Sequence, residues 1–251
     1  ETLAPTVNSV AISSASGVQN SLLNAGDNVS VTATFSESVI VDNASGTPTL
    51  TLVVGSDNRT STYTSGSGST PLVFQYTIQA GETDADGISI EANTLALNSG
   101  TIRDAAGNNA TITYSSVSAN TSYKVDNTAP SVDNFTLSDT ALKAGDTATV
   151  TLRFSEAVVS FSSAADITAD NGTLAAMSSA DNITWTGTFT PTANTEDASN
   201  TLSLATSYTD TAGNAGPAAT TENYAVETLA PTVNSVAISS ASGVQNSLLN
   251  A

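Results

Sequence analysis

Apolar and polar residues alternate along much of this chain. Runs with a period of two cover residues 7–13, 29–35, 48–54, 71–78 and 88–90. Strict alternation of this kind indicates a β-strand with one buried face and one solvent face. Turns rich in Gly, Asn, Asp and Ser separate the runs, and a last strand ends at Tyr123-Lys124-Val125. The first half of the chain is therefore predicted to be a series of short strands without a helix of useful length.

The second half of the chain repeats this plan. Residues 132–138 match residues 7–13, and the run 150–154 is followed by Ser-Glu as the run 31–35 is. The turn sequence DTAGN at 210–214 matches DAAGN at 104–108. Two sets of about seven strands, with a turn every 8–12 residues, are typical of immunoglobulin-like sandwiches. The pattern predicts an all-β protein with two tandem immunoglobulin-like antiparallel β-sandwich domains joined end to end.

A short linker phrase marks the boundaries of these units. The sequence VDNTAP at 125–130 recurs as VETLAP at 226–231, and the chain opens on ETLAP. Residues 227–251 also repeat residues 1–25 without a single difference. Self-similarity of this kind indicates a tandem array. We therefore predict one domain at 1–125, a second at 126–226, and the start of a further repeat at 227–251, which is too short to bury a core alone.

The charge balance limits the function classes. The chain has five Lys and Arg residues against 23 Asp and Glu residues, and its net charge is −18. Such a chain is not expected to bind nucleic acid or an anionic membrane, because phosphate groups are neutralised by Lys and Arg. It is expected to bind cations. No apolar run approaches the length of about 18 residues that a membrane span requires, so we predict no membrane insertion.

Two residue types are missing altogether. The chain has no Cys and no His, which excludes disulfides, thiolate or imidazole zinc sites and His-based hydrolytic chemistry. A bound metal then becomes the more plausible means of stabilising small exported domains. A glycosidase with two carboxylates is disfavoured because the acids fall in turns at the domain ends. We predict that the protein is not an enzyme, and that its only Trp, Trp185, packs in a core or sheet.

The strand order places three acids at one end of each domain. In an antiparallel sandwich the end of the second strand and the turn before the last strand both meet the incoming linker. In the second domain, Asp126, Glu156 and Asp210 are therefore expected to lie close together. Calcium takes six to eight oxygen ligands from carboxylates, carbonyls and water. Each acid alone would be an ordinary turn or strand-end residue, but the threefold coincidence in both domains favours calcium. The equivalent positions are Glu1, Glu37 and Asp104 in the first domain, and Glu227 opens the next set.

A second candidate site lies in the loop at residues 82–87. Asp84 and Asp86 alternate before a Gly, as in the first half of an EF-hand loop. The match then fails, because position twelve counted from Glu82 is Asn93. Strand order places this loop at the opposite end of the first domain, near Asp27. An intradomain calcium site and an exposed acidic turn are both compatible with this sequence.

Several phrases together resemble a known family. These phrases are FSE, DAAGN or DTAGN, V-[DE]-x-x-AP, YTSGSGS, FQYTIQAGETDADGI and WTGTFTPTAN. They resemble bacterial immunoglobulin-like (BIg) tandem repeats of giant type I-secreted RTX-type adhesins. The resemblance covers both domains. It implies a long extracellular fibre on a bacterial cell surface that supports attachment and biofilm formation, with Ca²⁺ bound at the domain junctions.

These observations predict a calcium-rigidified extender segment, whose partners are neighbouring immunoglobulin-like repeats of the same chain and which is itself monomeric. The linker from Asp126 to Pro130 is too short for the two domains to tumble freely, but their angle is expected to be fixed only when calcium binds. The alternative is a module of the same adhesin that binds a carbohydrate or protein ligand. A spacer predicts acids at the junctions, whereas a binder predicts an exposed cluster of aromatic and polar residues.

Overall fold

β-Strands make up almost all of the regular structure in the computed structural model, which describes residues 3–239 and the backbone of residues 244–245 and 248–249. The sheets are antiparallel with few exceptions and the fold is that of immunoglobulin-like β-sandwiches, which confirms the predicted fold class. Two separate hydrophobic cores are present. The first extends from Val10 to Val125 along the chain, and the second from Phe135 to Val226.

Domain one (residues 1–125) is built on one large antiparallel sheet. Its strands are β1 (Val7–Ser16), β2 (Leu22–Leu23), β3 (Asn28–Asp42), β4 (Thr49–Val54), β5 (Asp57–Ser65), β6 (Ser69–Thr77), β7 (Thr101–Arg103) and β8 (Lys124–Val125). The sheet order is β1-β3-β6-β5-β4, with β7 paired to the far end of β3. The short strands β2 and β8 pair in parallel and bring the outgoing chain beside the turn that follows β1.

The core of domain one follows the predicted alternation. Every second residue of β3 is buried from Val29 to Phe35, and the residues between them are half-buried. Strands β4 and β6 contribute the same pattern with Leu50, Leu52, Leu72 and Phe74, all fully buried. Burial of large aliphatic and aromatic side chains is the main stabilising term for a sheet of this kind.

Domain two (residues 126–226) has shorter strands in several small sheets. They are β9 (Val132–Leu137), β10 (Ala141–Lys143), β11 (Ala148–Phe154), β12 (Val158–Val159), β13 (Ile167–Ala169), β14 (Gly172–Leu174), β15 (Thr184–Pro191), β16 (Glu196–Asn200), β17 (Leu202–Leu204), β18 (Thr209–Asp210), β19 (Ala219–Thr220) and β20 (Tyr224–Glu227), with one helical turn α1 (Ser163–Asp166). The main sheet has the order β14-β15-β11-β9. As in domain one, the outgoing strand β20 pairs in parallel with β10, which follows the first strand of the domain.

Two predictions about strands were wrong, and one strand was missed. The FSE phrase of domain one was expected to close a strand, but β3 continues through Glu37 to Asp42, because its backbone pairs with β6 again at Val39 and then with β7 from Ile40 onward. Residues 88–90 form isolated bridges rather than a strand. Strand β5 was not predicted because its mostly exposed, polar sequence carries no apolar alternation.

Candidate metal centre at the domain junction

Three acidic side chains meet where the linker enters domain two. Asp126 directly follows β8, Glu156 lies two residues beyond the end of β11, and Asp210 ends β18. One carboxylate oxygen from each residue lies within 4.8 Å of the others. This is the only group of three such side chains found in the described part of the chain. The structure thus brings together the set that strand order placed at this end.

Asp210 is the fully buried member and organises the turn around itself. Its Oδ1 accepts hydrogen bonds from the backbone N–H of Ala212 at 2.8 Å and of Asn214 at 2.9 Å. Its Oδ2 accepts one from the side-chain amide of Asn214 at 2.8 Å. Gly213 adopts φ +94°, a conformation that L side chains rarely adopt. The DTAGN sequence therefore folds into a compact turn that holds one carboxylate in a fixed direction.

Asp126 connects this turn to domain one. Its backbone N–H donates to the carbonyl of Leu23 at 2.9 Å, and its own carbonyl accepts from the side-chain amide of Asn214 at 2.9 Å. Its Oδ1 accepts from the backbone N–H of Thr128 at 2.9 Å. The first linker residue is thus bonded to both domains through its backbone, while its half-buried carboxylate lies beside that of Asp210.

The ionised form of the Glu156 side chain is disfavoured at this position. Burial raises the pKa of its carboxyl, and the nearby negative charges of Asp210 and Asp126 raise it further. No Lys or Arg forms an ion pair with any of the three acids in the described chain. The mutual repulsion is uncompensated, and a hard divalent cation is its natural complement because it takes several carboxylate oxygens at once. These three residues have the oxygen-donor chemistry that calcium requires, and calcium binding here stays a prediction.

Of the equivalent acids of domain one, Asp104 has hydrogen bonds like those of Asp210. Asp104 is buried, and its carboxylate accepts hydrogen bonds from the backbone N–H and side-chain amide of Asn108 at 2.8 and 2.7 Å. These bonds, the side-chain one first, lower the pKa of Asp104. Glu37 is half-buried within β3. Glu1 lies outside the described residues, so the domain-one set is described for two of its three members.

The remaining candidate acids do not converge. Asp84 is buried and closes its own loop, since its two oxygens accept from the backbone N–H of Gly55 at 2.9 Å and of Gly87 at 2.7 Å. Asp86 is exposed, and Asp27 accepts from the backbone N–H of Asn24 at 2.9 Å. Glu227 is exposed at the end of β20. Asp27, Asp84 and Asp86 form no metal-ligating group among residues 3–239.

Sequence reasoning missed the role of Glu82 in the same loop. Its buried carboxylate accepts hydrogen bonds from the Arg59 guanidinium, the Tyr76 hydroxyl and the backbone N–H of Gln79. Burial, together with the hydrogen bond to Glu82, raises the pKa of Tyr76. The ion pair therefore fixes the loop that faces the linker, and no motif in the sequence indicated it.

The amide side chains at the junction were also missed. The Asn127 Oδ1 accepts from the backbone N–H of Ala25 at 2.6 Å, and its Nδ2 donates to the carbonyls of Gln79 and Glu82 at 3.1 and 2.8 Å. Across the junction, Asn20 and Asn24 each donate from Nδ2 to a carbonyl of the DTAGN turn, at 3.0 Å in both cases. The only sequence signal was the abundance of Asn near the turns, which is not specific.

With this geometry in hand, the comparisons with known proteins identify the class of domain. Residues 126–226 match a family model described as a bacterial Ig-like domain. No curated protein matches the chain. Domains of this class are non-catalytic and are typical repeat modules of exported surface proteins. In the described residues, no helix has the length and apolar character needed to span a bilayer.

Proposed function

We propose that this chain is a calcium-rigidified extender of a bacterial cell-surface adhesin, acting outside the cell. The observation that carries the proposal is the meeting of Asp126, Glu156 and Asp210, because one acid belongs to the linker and two belong to loops of the following domain. A cation bound by all three would tie the linker to domain two. The adhesive role, biofilm formation and type I secretion rest on the resemblance to RTX-type adhesins.

The physical mechanism is the removal of repulsion at a junction. Without a cation, three carboxylates face one another with no basic partner, which disfavours close docking of the linker on domain two. Calcium modules outside cells bind at about 10⁻⁴ to 10⁻³ M. A site of that affinity is empty in the cytosol and filled outside, so the chain stiffens only after export.

The hydrogen bonds of Asn20, Asn24 and Asn127 refine this mechanism. They join domain one to the linker and to the DTAGN turn without any cation. Hydrogen bonds of this kind each contribute about 0.5–1.5 kcal/mol. This is enough to favour one relative orientation of the two domains but not to fix it rigidly. Calcium therefore acts on a junction that is already partly docked, and it narrows the range of domain angles rather than creating the contact.

A ligand-binding module is the less favoured alternative. A carbohydrate platform needs an exposed aromatic side chain. Trp185, the only Trp of the chain, packs edge-on against Phe161, with ring centroids 4.8 Å apart, and belongs to the periphery of the domain-two core, as the sequence predicted. This arrangement supports a packing role.

Calorimetric titration of calcium into the chelator-treated protein tests the proposal. The parent should bind calcium with an affinity in the range of extracellular modules, and Asp126→Ala should lose one equivalent of binding. Glu222→Gln is the matched control, since it removes one charge from an exposed position of domain two. Magnesium should bind poorly, because it requires tighter octahedral geometry and dehydrates reluctantly.

Small-angle scattering supplies the functional part of the test. Calcium should lengthen the parent and Glu222→Gln, and should leave Asp126→Ala unchanged. Equal calcium binding and equal lengthening in Asp126→Ala would show that the junction acids are not the site. No calcium binding by the parent at millimolar concentration would remove the proposal altogether.

A further inference from the structure

A serine at the same position of each domain binds the chain that enters that domain. In domain two, Ser155 directly follows β11, and its hydroxyl oxygen accepts a hydrogen bond from the backbone N–H of Ser131 at 2.9 Å. Its own backbone N–H donates to the carbonyl of Ser131, also at 2.9 Å. In domain one, the hydroxyl of Ser36 accepts from the backbone N–H of Thr6 at 3.0 Å, and the backbone N–H of Ser36 donates to the carbonyl of Thr6 at 2.8 Å. Each is the serine of an FSE phrase, and no role was predicted for it.

The hydroxyl oxygen replaces a backbone carbonyl at the end of the strand pair. In a regular antiparallel ladder, two opposite residues can exchange two N–H···O=C hydrogen bonds. Here the ladder between β9 and β11 shifts register between Arg153 and Phe154, and one of the two bonds of Ser155 is made by its side chain. An alanine at this position would keep the bond donated by the backbone and lose the other. The incoming chain is therefore attached to domain two partly through a group that a single substitution removes.

The chain between the two domains has little free length. On the side of domain one, Val125 exchanges two backbone hydrogen bonds with Asp84, both of 2.8 Å. The side chain of Asn127 then bonds to three backbone groups of the same domain. Only residues 128–130 lie between Asn127 and the attachment of Ser131 to domain two, a span of about 10 Å when fully extended. Release of Ser131 would lengthen this free segment.

We propose that Ser155 is a positioning residue of the junction, which holds the incoming linker against domain two and thereby keeps the carboxylate of Asp126 beside that of Glu156. Asp126 lies five residues before Ser131, and Glu156 directly follows Ser155. The hydrogen bond between the two serines thus closes a short path from one acid to the other. The effect on calcium rests on the proposed function, whereas the restraint on the linker does not.

Asn214 makes a separate attachment of the linker to domain two. Its side-chain amide donates to the carbonyl of Asp126 at 2.9 Å and to the carboxylate of Asp210 at 2.8 Å. It therefore restrains the linker relative to Asp210, as Ser155 restrains it relative to Glu156. Loss of the Ser155 hydroxyl should loosen one side of the acid cluster and leave the other in place, so that calcium binding is weakened but not abolished.

The two domains offer a matched set of variants. Ser155 and Ser36 are both exposed, so Ser155→Ala and Ser36→Ala each remove one hydroxyl without opening a core. Ser155→Thr keeps the hydroxyl oxygen. The loss of one such hydrogen bond corresponds to a change of about twofold to tenfold in an equilibrium constant. In chelator, backbone hydrogen exchange should become faster by that factor at Ser131 in Ser155→Ala and at Thr6 in Ser36→Ala, and at neither in Ser155→Thr.

Small-angle scattering connects this attachment to the junction. In chelator, Ser155→Ala should show a broader distribution of lengths than the parent, whereas Ser36→Ala and Ser155→Thr should match the parent. The calcium concentration that gives half of the lengthening should rise about twofold to tenfold for Ser155→Ala alone. The melting temperature of domain two in chelator should hardly change, which distinguishes a positioning role from a general loss of stability.

Two results would overturn the proposal. Unchanged hydrogen exchange at Ser131 in Ser155→Ala would show that the hydroxyl does not restrain the linker. Faster exchange at Ser131, together with lengths and a calcium midpoint equal to those of the parent, would show that Asn214 alone positions the linker. A parent that does not lengthen with calcium would instead contradict the proposed calcium-dependent extender. The measurements in chelator would still decide whether Ser155 restrains the linker.

Discussion

The two linkers of this chain share a Val, an acid and an Ala-Pro at the same positions, but they have different surroundings. On the upstream side they are alike. Each follows a strand that pairs in parallel with the segment after the first strand of its own domain. The second linker residue then bonds to the loop of that domain: Asn127 donates to the carbonyls of Gln79 and Glu82, and Thr228 donates to the carbonyl of Thr192.

On the downstream side the linkers differ. Pro130 is buried at the head of domain two, whereas Pro231 is exposed. The carbonyl of Asp126 accepts from the side-chain amide of Asn214 in the following turn, while Glu227 is exposed at the end of β20. The comparison teaches that each domain carries its own outgoing linker. The acidic neighbours of Asp126, Glu156 and Asp210, come from the strand end and turn of the domain that follows.

The largest expected effect is a difference between Asp126 and Glu227, the two linker acids. Substitution of the first should remove the stabilisation of domain two by calcium, and substitution of the second should not. At free calcium a hundredfold above its dissociation constant, binding stabilises domain two by about 2.7 kcal/mol, or about 10–20 °C in melting temperature for a domain of this size. Asp126→Ala should lose this shift, and Glu227→Ala at the equivalent linker position should keep it. Calorimetric melting with and without chelator measures both.

Asp210 is a poor choice for the same experiment. Its carboxylate accepts two backbone N–H groups and an amide of its own turn, so Asp210→Ala would damage the turn regardless of calcium. If Asp126→Ala and Glu227→Ala respond alike, the difference between the two linkers has no bearing on cation binding.

The second effect concerns the hydrogen bonds made by the second residue of each linker, Asn127 and Thr228. Thr228 is buried, and its hydroxyl accepts from the backbone N–H of Thr195 at 2.9 Å. Thr228→Val keeps the shape but leaves that group unsatisfied, and should lower the unfolding free energy of domain two by about 1–3 kcal/mol. Asn127→Ala should cost domain one about 1 kcal/mol or less, because two of its three hydrogen bonds, those with Ala25 and Gln79, are exposed and water can replace them. Denaturant melts of the two domains give both values. A larger loss of unfolding free energy for Asn127→Ala than for Thr228→Val would show that burial does not decide which of these hydrogen bonds contributes more.

Particular residues show how far the sequence alone could predict this molecule. Strands β1, β6 and β11 were predicted because their alternation is set by one buried face, a local property. The meeting of Asp126 with Asp210 followed from strand order alone. The path of β3 beyond Phe35 could not be predicted, because it depends on pairing with the distant strand β7.

The polar contacts of the junction were beyond sequence reasoning for a different reason. The Arg59–Glu82 ion pair and the bonds of Asn127 join side chains to groups far away along the chain. In a chain rich in Asn, Asp, Ser and Thr, composition does not distinguish the few that make such bonds. Only the fold brings the partners together.

The third effect concerns the protonation of Glu156. Its pKa in the folded state is raised above the usual value of 4.5, so the folded protein holds this proton more tightly than the unfolded chain does. The contribution of Glu156 to stability therefore falls as the pH rises through and above 4.5, until the carboxyl is ionised. At pH 7 without calcium, Glu156→Gln should raise the melting temperature by about 2–4 °C, as for a change of about 0.5 kcal/mol.

Calcium should reverse the effect of Glu156→Gln on the melting temperature. It binds the ionised carboxylate, so Glu156→Gln should be less stable than the parent when calcium is saturating. Melting curves at pH 5 and pH 7, with and without chelator, test both halves. Destabilisation by Glu156→Gln in chelator at pH 7 would mean that the carboxylate makes a favourable contact and that repulsion does not dominate this cluster.

The smallest expected effect tests the contact between domains directly. Asn20 and Asn24 donate to the carbonyls of Thr211 and Ala212 across the junction. In domain two the equivalent positions carry Asp139 and Lys143, and Asp139 bonds to its own turn at Ala141. The double variant Asn20→Ala, Asn24→Ala removes two partly exposed hydrogen bonds, each contributing about 0.5–1.5 kcal/mol. The melting temperatures of the two domains should hardly change, because neither bond lies within a core.

The relative orientation of domains one and two should respond instead. In chelator, small-angle scattering should show a broader distribution of lengths for this double variant than for the parent, since relative motion is the default where an interface is small. With calcium bound, the two proteins should become alike, because the cation then supplies the restraint. Asp139→Ala with Lys143→Ala is the matched control and should behave as the parent in both conditions, since these positions lie at the other end of domain two. The asparagine variant could instead show, in chelator, a distribution of lengths as narrow as that of the parent. The hydrogen bonds that Asn127 and Asn214 make at the linker would then be sufficient to orient the domains. The contacts of Asn20 and Asn24 would be a consequence of that orientation and not its cause.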